Sequence, residues 1–119
     1  MPYIDLITNV KLSEDKQLEV VQALSKTGAS VLGKPESYMS ASYTHNSSLI
    51  FAGTTDPCFQ IRLISIGLTV EKCPEVSRAL SEILKNLIGL DSSRGYMQLT
   101  DPTAERTGYS STTFGELWK

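Results

Sequence analysis

The residue types that most often do chemistry are sparse in this sequence, and their spacing argues against the common arrangements. Cys58 and Cys73 are the only cysteines, fifteen positions apart, with no CxxC pair between them. A single histidine is too few to complete a zinc site around them, so both read as reduced thiols and no metal is expected. That histidine, His45, lies in the polar stretch THNSS and reads as a surface loop residue, which leaves Ser-His-Asp catalysis without support. Lys34 follows Gly33, and at a helix C-terminus its charge would complement the helix dipole by about 0.3–1 kcal/mol.

Charge and length narrow the classes further. Eleven Lys and Arg are scattered among thirteen Asp and Glu for a formal charge of −2, so there is no basic stripe to neutralise phosphates or an anionic bilayer. Nucleic acid and membrane surfaces are therefore not expected partners. No apolar run approaches the roughly 20 residues of a membrane span. The start MPYIDLITNV lacks the basic, apolar and small-residue segments of a secretory signal, so a cytoplasmic protein is expected. With 119 residues, 40% hydrophobic and 20% charged, residues 1–119 read as one domain. A chain of this size buries roughly two-thirds of its unfolded surface, enough for one core without a metal or disulfide.

Periodicity supplies the elements that would position any site. Tyr3–Thr8 is rich in β-favouring side chains and reads as a first strand. Ser13 then offers an N-cap with Glu14 and Asp15 in the first turn, and Leu18, Val21, Leu24, Gly28 and Val31 recur at helical spacing. Gly33 and Pro35 stop that helix, and a second strand is expected over Tyr38–Thr44. Leu49–Gly53 reads as a short strand, TTDP as a turn, and Cys58–Gly67 as a longer strand. Pro74 stands at a first helical position before the wide apolar stripe Val76, Ala79, Leu80, Ile83, Leu84, Leu87 and Ile88. Gly89 closes that helix, Gly95–Thr100 reads as a strand, and the remainder reads as loop with one late short strand.

The two halves echo one another. Leu6-Ile7-Thr8 answers Leu63-Ile64-Ser65, Gly33 answers Gly89 and Tyr38 answers Tyr96, at offsets of 57, 56 and 58 residues. Two copies of a strand–helix–strand unit follow, an α+β fold with a four-stranded mixed sheet and two right-handed crossover helices on one face. The other sheet face must then be solvated or covered by further copies of the chain, which makes oligomerisation a physical expectation.

Several segments carry a resemblance. The start Met-Pro, ITNV after the first strand, GKPESY after the first helix, FAGTTDPC, the SIG at Ser65–Gly67 and the closing STTF at Ser111–Phe114 run almost end to end, in order and at consistent spacing. Together they resemble the macrophage migration inhibitory factor family of the tautomerase superfamily. The resemblance implies a homotrimer whose sheets line a central channel, with an active site at each subunit boundary centred on a proline made N-terminal by loss of the initiator methionine. Here that residue is Pro2. By matching positions, Lys34 would hold a substrate carboxylate or enolate and the backbone N–H of Ile66 would donate to it. Tyr96 from a neighbouring subunit would close the pocket, and Tyr38 and Phe114 would line it.

An N-terminal proline is a credible base on chemical grounds. Removing Met1 turns an amide nitrogen into a secondary amine, and α-amino groups titrate at about 7.7–8.0. A nearby cation such as Lys34 would favour the neutral form and make the amine a proton acceptor near neutrality. Neutral Pro2 would take a proton from the carbon beside a substrate carbonyl and return it to the other end of the enolate, interconverting keto and enol forms without a cofactor. A retained Met1 would leave Pro2 nitrogen a tertiary amide with no useful basicity.

The expected activity is keto-enol tautomerisation of small, enolisable aromatic α-keto acids such as phenylpyruvate. The alternatives are a cytokine-like protein, released without a signal peptide, whose trimer surface engages a receptor, and an assembly module without pocket chemistry. Residues departing from the family pattern bear on specificity. Ile61 stands where a CxxC partner of Cys58 would be, so no thiol-disulfide exchange is expected. Tyr109 replaces a common tryptophan and Gln98 a common asparagine at the pocket rim, and the tail GELWK with Trp118 runs past the usual ending.

Overall fold

The structure is a computed structural model describing residues 1–119. Its order is β1 (Pro2–Thr8), α1 (Glu14–Leu32), β2 (Ser40–His45), β3 (Phe59–Ser65), α2 (Cys73–Ile88), β4 (Gly95–Thr100), then a small hairpin, β5 (Gly108–Tyr109) and β6 (Thr112–Thr113), and a terminal turn of helix, α3 (Phe114–Leu117). The main sheet runs β2-β1-β3-β4. β1 pairs parallel with β2, β3 pairs parallel with β4, and the two units meet antiparallel between β1 and β3. Across that central seam Ile4 faces Leu63 and Leu6 faces Ile61, each the repeat equivalent of the other's partner. The expected α+β fold with a mixed four-stranded sheet is therefore the observed one.

Strand alternation decides which face is packed. Ile4, Leu6, Ile61 and Leu63 are buried and form one cluster with Val20 and Leu24 of α1 and Val76, Leu80, Ile83 and Leu84 of α2. Fully burying each such aliphatic side chain contributes about 1.5–3 kcal/mol, so this cluster is the dominant favourable term. Intervening residues such as Asp5, Gln60 and Arg62 point to the face that no helix covers.

Both long helices end as the repeat predicts. Gly33 (φ 67°) and Gly89 (φ 77°) take the left-handed conformation that other residues enter only with strain, and the backbone N–H groups just past each end return to the last-turn carbonyls. At the other end of α1, the Ser13 side chain accepts from the Lys16 N–H, as its N-cap position suggested.

Several local expectations are corrected. Leu18 is 56% exposed, and the packed stripe of α1 is Val20, Leu24, Gly28 and Ala29, with Val21 only half-buried. Tyr38 is not in the second strand. Pro35, with φ −61°, instead feeds a 3-10 turn at Glu36–Tyr38, and the strand starts at Ser40. Leu49–Gly53 is not a strand, because Ala52 (φ 52°) and Gly53 (φ 78°) turn the chain back so that only Phe51 and Thr54 pair. The third strand stops at Ser65, before Gly67 turns the chain at φ 87°. Pro74 is the second residue of α2, after a 3-10 turn at Val70–Lys72. The C-terminal segment holds a hairpin and a helical turn, not a single late strand.

Candidate active site

Pro2 begins β1 and is buried, facing Ser65 across the seam. Lys34, the residue after the α1 cap, reaches over this end of the sheet and donates from Nζ to the Ile66 carbonyl at 3.0 Å. Lys34, Ser65, Gly67 and Lys72 line a small cavity of about 140 Å³ together with Leu32, Leu68 and Thr69. The loop after β3 is held in place because the Gly67 N–H donates to Asp101 Oδ1 at 2.8 Å. Two lysines and an inward-facing hydroxyl thus gather beside the start of the chain, a setting that favours negative charge.

On the other side of the N-terminus lies an aromatic cleft of about 350 Å³, walled by Met1, Ser37, Tyr38, Tyr109, Phe114 and Trp118. Its size falls in the range of small-molecule sites. Tyr109 and Phe114 stack with ring centroids 5.4 Å apart and planes 8° from parallel, and Trp118 leans on Phe114 at 5.0 Å. Trp118 is fixed there by its short helix. Thr113 caps α3 by accepting from the Glu116 N–H, and the Trp118 N–H returns to the Phe114 carbonyl at 2.9 Å. Gly115 lets α3 sit close to the preceding turn, where a Cβ would meet Glu105 Cα at 2.9 Å.

The terminal amine of Met1, which lines the aromatic cleft, is shifted. Partial burial, and secondarily the Lys34 charge, lower its pKa below the ordinary 8.0. Desolvation and a neighbouring cation both disfavour ammonium, so more of the group is neutral at neutral pH.

Of the residues singled out in the sequence, Pro2, Lys34, Ile66, Tyr38, Tyr109 and Phe114 gather at this end. Tyr96 and Gln98 do not. They pair with Gln60 and Arg62, so that Tyr96 sits level with Ile7 and Gln98 level with Asp5, roughly 17 Å and 10 Å along the strands from Pro2 at about 3.4 Å per residue. Tyr96 is 77% exposed, meets Phe51 edge-on at 5.3 Å, and with Gln98, Ile50 and Phe51 borders a second groove of about 250 Å³.

Sequence reasoning missed Ser65 as a site residue and left the placement of Trp118 open. It also left unexplained what links ITNV to FAGTTDPC. Asn9 binds the loop from both sides, donating to the carbonyls of Leu49, Thr55 and Asp56 and accepting from the Cys58 N–H. Arg94 adds bonds to the carbonyls of Phe51, Pro57 and Asp56 and to Thr54 Oγ1, with its guanidinium 5.2 Å from the Phe51 ring centre. These motifs shape the groove that holds Tyr96. No helix is long and apolar enough to cross a membrane, and no cluster of three His, Cys, Asp or Glu could hold a metal.

Comparison with known proteins agrees with this fold. Residues 1–115 match the family model for macrophage migration inhibitory factor. A macrophage migration inhibitory factor homolog of Brugia malayi is 31% identical over 119 residues, covering 97% of this chain and all of that one. A D-dopachrome decarboxylase-B of Xenopus laevis is 30% identical over 96 residues, covering 79% of this chain and 80% of its own length. The crystal structure of a homologue from Prochlorococcus marinus superposes with a TM-score of 0.89 at 30% identity, covering 95% of this chain and 99% of that one. With its β-α-β repeat, buried Pro2 and lysine-flanked N-terminus, the chain belongs to the macrophage migration inhibitory factor family, which is related to the tautomerases.

Proposed function

We propose that the protein is a keto-enol tautomerase of small aromatic α-keto acids such as phenylpyruvate, with the Pro2 amine as general base once Met1 is removed. The observation that carries this reading is the placement of the terminal amine. Met1 lines the aromatic cleft, the next residue pairs with Ser65 of the cavity containing Lys34 and Lys72, and the proton affinity of the amine is lowered by burial and by Lys34. Pro2 follows Met1 and is itself buried, and we extend the same two causes to its amine once Met1 is gone.

In this mechanism the substrate carboxylate sits toward Lys34 and its ring enters the cleft between Tyr38 and the Tyr109–Phe114–Trp118 stack. Neutral Pro2 takes the proton from the carbon beside the carbonyl. Lys34 and the Ile66 N–H stabilise the enolate oxygen as charge develops, and the prolinium returns its proton to the other end of the enolate. No cofactor enters these steps. The Xenopus relative's name, D-dopachrome decarboxylase-B, ties a member of this family to chemistry on a small molecule.

The full site is proposed to be shared between subunits. The apolar residues Tyr3, Ile7 and Ile64 on the sheet face that no helix covers, and the distance of Tyr96 and Gln98 from their own Pro2, support a homotrimer in which a neighbour presents them to the cleft. Light scattering should give three times the monomer mass.

The test is phenylpyruvate tautomerisation by protein whose intact mass shows Met1 absent, beside Pro2→Gly. Robust turnover lost in the variant supports the reading. No turnover above buffer from a folded oligomer with a free Pro2 sinks it for this substrate class and favours surface signalling through a receptor.

A further inference from the structure

Ser65 is fully buried, and its hydroxyl is the one buried side-chain polar atom with no hydrogen-bond partner. Leaving a hydroxyl so placed costs about 1–3 kcal/mol, so the orphan calls for an explanation. The internal repeat supplies one, because Thr8 holds the equivalent position in the other half.

Thr8 faces Phe59 across the seam just as Ser65 faces Pro2. Its Oγ1 donates to the carbonyl of Cys58, the residue before Phe59, at 2.7 Å, and accepts from the Val10 N–H at 3.2 Å. The repeat equivalent of the Cys58 carbonyl is that of Met1, the residue before Pro2, yet Ser65 Oγ makes no such bond. The N–H equivalent to that of Val10 belongs to Gly67, and it is directed instead to Asp101. Ser65 is thus left with donor and acceptor capacity beside the bond whose removal creates the amine.

We infer that Ser65 is a positioning residue for the Pro2 amine: its hydroxyl oxygen accepts the amine N–H and so turns the nitrogen lone pair toward the aromatic cleft. The inference rests on the tautomerase reading for its catalytic meaning, and on the Pro2–Ser65 register and the unpaired buried hydroxyl for its geometry. A secondary amine carries one hydrogen and one lone pair, so fixing the hydrogen fixes the direction from which a proton is taken. When the amine is protonated, the same oxygen accepts from the cation, a stronger bond than from the neutral group. The other titratable groups around this nitrogen are Lys34 and Lys72 on the cavity side, and Tyr3, Tyr38, Tyr109 and Arg106 beside Met1.

The experiment uses Met1-free wild type, Ser65→Ala and Ser65→Thr, with phenylpyruvate kinetics across pH and an NMR titration of Pro2 labelled with nitrogen-15. For Ser65→Ala, kcat should fall about tenfold, the loss of one charge-assisted hydrogen bond in the transition state. The Pro2 pKa should fall too, because the cation loses its acceptor, which moves the acidic limb of kcat/KM to lower pH. Ser65→Thr, carrying the side chain found at Thr8, should restore both. An alanine variant with wild-type kcat and an unmoved Pro2 titration overturns the inference. If the wild type turns over no phenylpyruvate, the tautomerase reading fails, and the titration alone decides whether Ser65 contacts the amine. Should the alanine variant not fold, Ser65→Cys, which keeps the volume but weakens the acceptor, takes its place with the same expected directions.

Discussion

Pro2 and Phe59 hold equivalent positions in the two halves of the repeat, and so do Lys34 and Leu90, each the residue after a helix-capping glycine. At one end of the seam these positions carry an imino acid at the chain start and a half-buried ammonium beside two hollows. At the other end they carry a phenyl ring and an isobutyl group, 1% and 0% exposed, both part of the core. The backbone plan is shared, while the filling differs. One strand–helix–strand unit closes its end by packing, and the other leaves the same end open and charged, which is where chemistry becomes available.

The largest way to break this comparison is to give the closed end the open end's residue. Leu90→Lys would bury an ammonium with no partner, and we expect a loss of about 3–5 kcal/mol, enough to unfold a large fraction of molecules, read by urea titration. The converse change should spare the fold and remove function. Lys34→Leu is expected to keep the melting temperature within a few degrees while lowering kcat/KM for phenylpyruvate about tenfold to hundredfold. Its pH profile has a definite sign. Burial and, secondarily, Lys34 lower the pKa of the Met1 amine; with the same sign at a free Pro2 amine, removing the Lys34 charge lets its pKa rise and moves the acidic limb of kcat/KM to higher pH. Burial, the larger cause, persists in the variant, so the shift stops short of the unperturbed value.

Smaller effects sharpen the contrast. Thr8→Val removes a buried hydroxyl that two backbone groups depend on and should cost about 1–3 kcal/mol by urea titration, with the site chemistry unchanged. Trp118→Ala strips the outer wall of the cleft. A loss of about 1 kcal/mol of stacking, roughly fivefold in KM, is expected for phenylpyruvate, and little change for an aliphatic α-keto acid of similar charge.

Much of this plan was legible in the sequence because its landmarks are local and chemically stringent. A glycine forced into the left-handed region marks a helix end wherever it falls, and two of them nearly the same distance from matching strands reveal the repeat. Pro2 and Lys34 were reachable because the order and spacing of short motifs carried them together. Other features depend on tertiary choices that no local window contains. Leu18 and Val20 fit a helical stripe equally well, and only the sheet's position decides that Val20 packs and Leu18 does not. Tyr38 has a strand former's side chain, but Pro35 starts a tight turn that claims it first. Ser65 looked like part of a motif, and its isolation appears only when its bonding is set beside that of Thr8. Trp118 lies beyond the matched family segment, so its docking on Phe114 had no precedent in the motifs.

The central claim is that a free Pro2 amine at the open end is the base. The most direct measurement compares two preparations of the same chain, one with Met1 retained and one with it removed, each verified by intact mass, in phenylpyruvate tautomerisation at neutral pH. The account predicts that the trimmed protein turns over substrate and that the untrimmed protein, with its Pro2 nitrogen locked in an amide, falls to near the buffer rate. Equal turnover by both forms would contradict it and place the base elsewhere in the cleft.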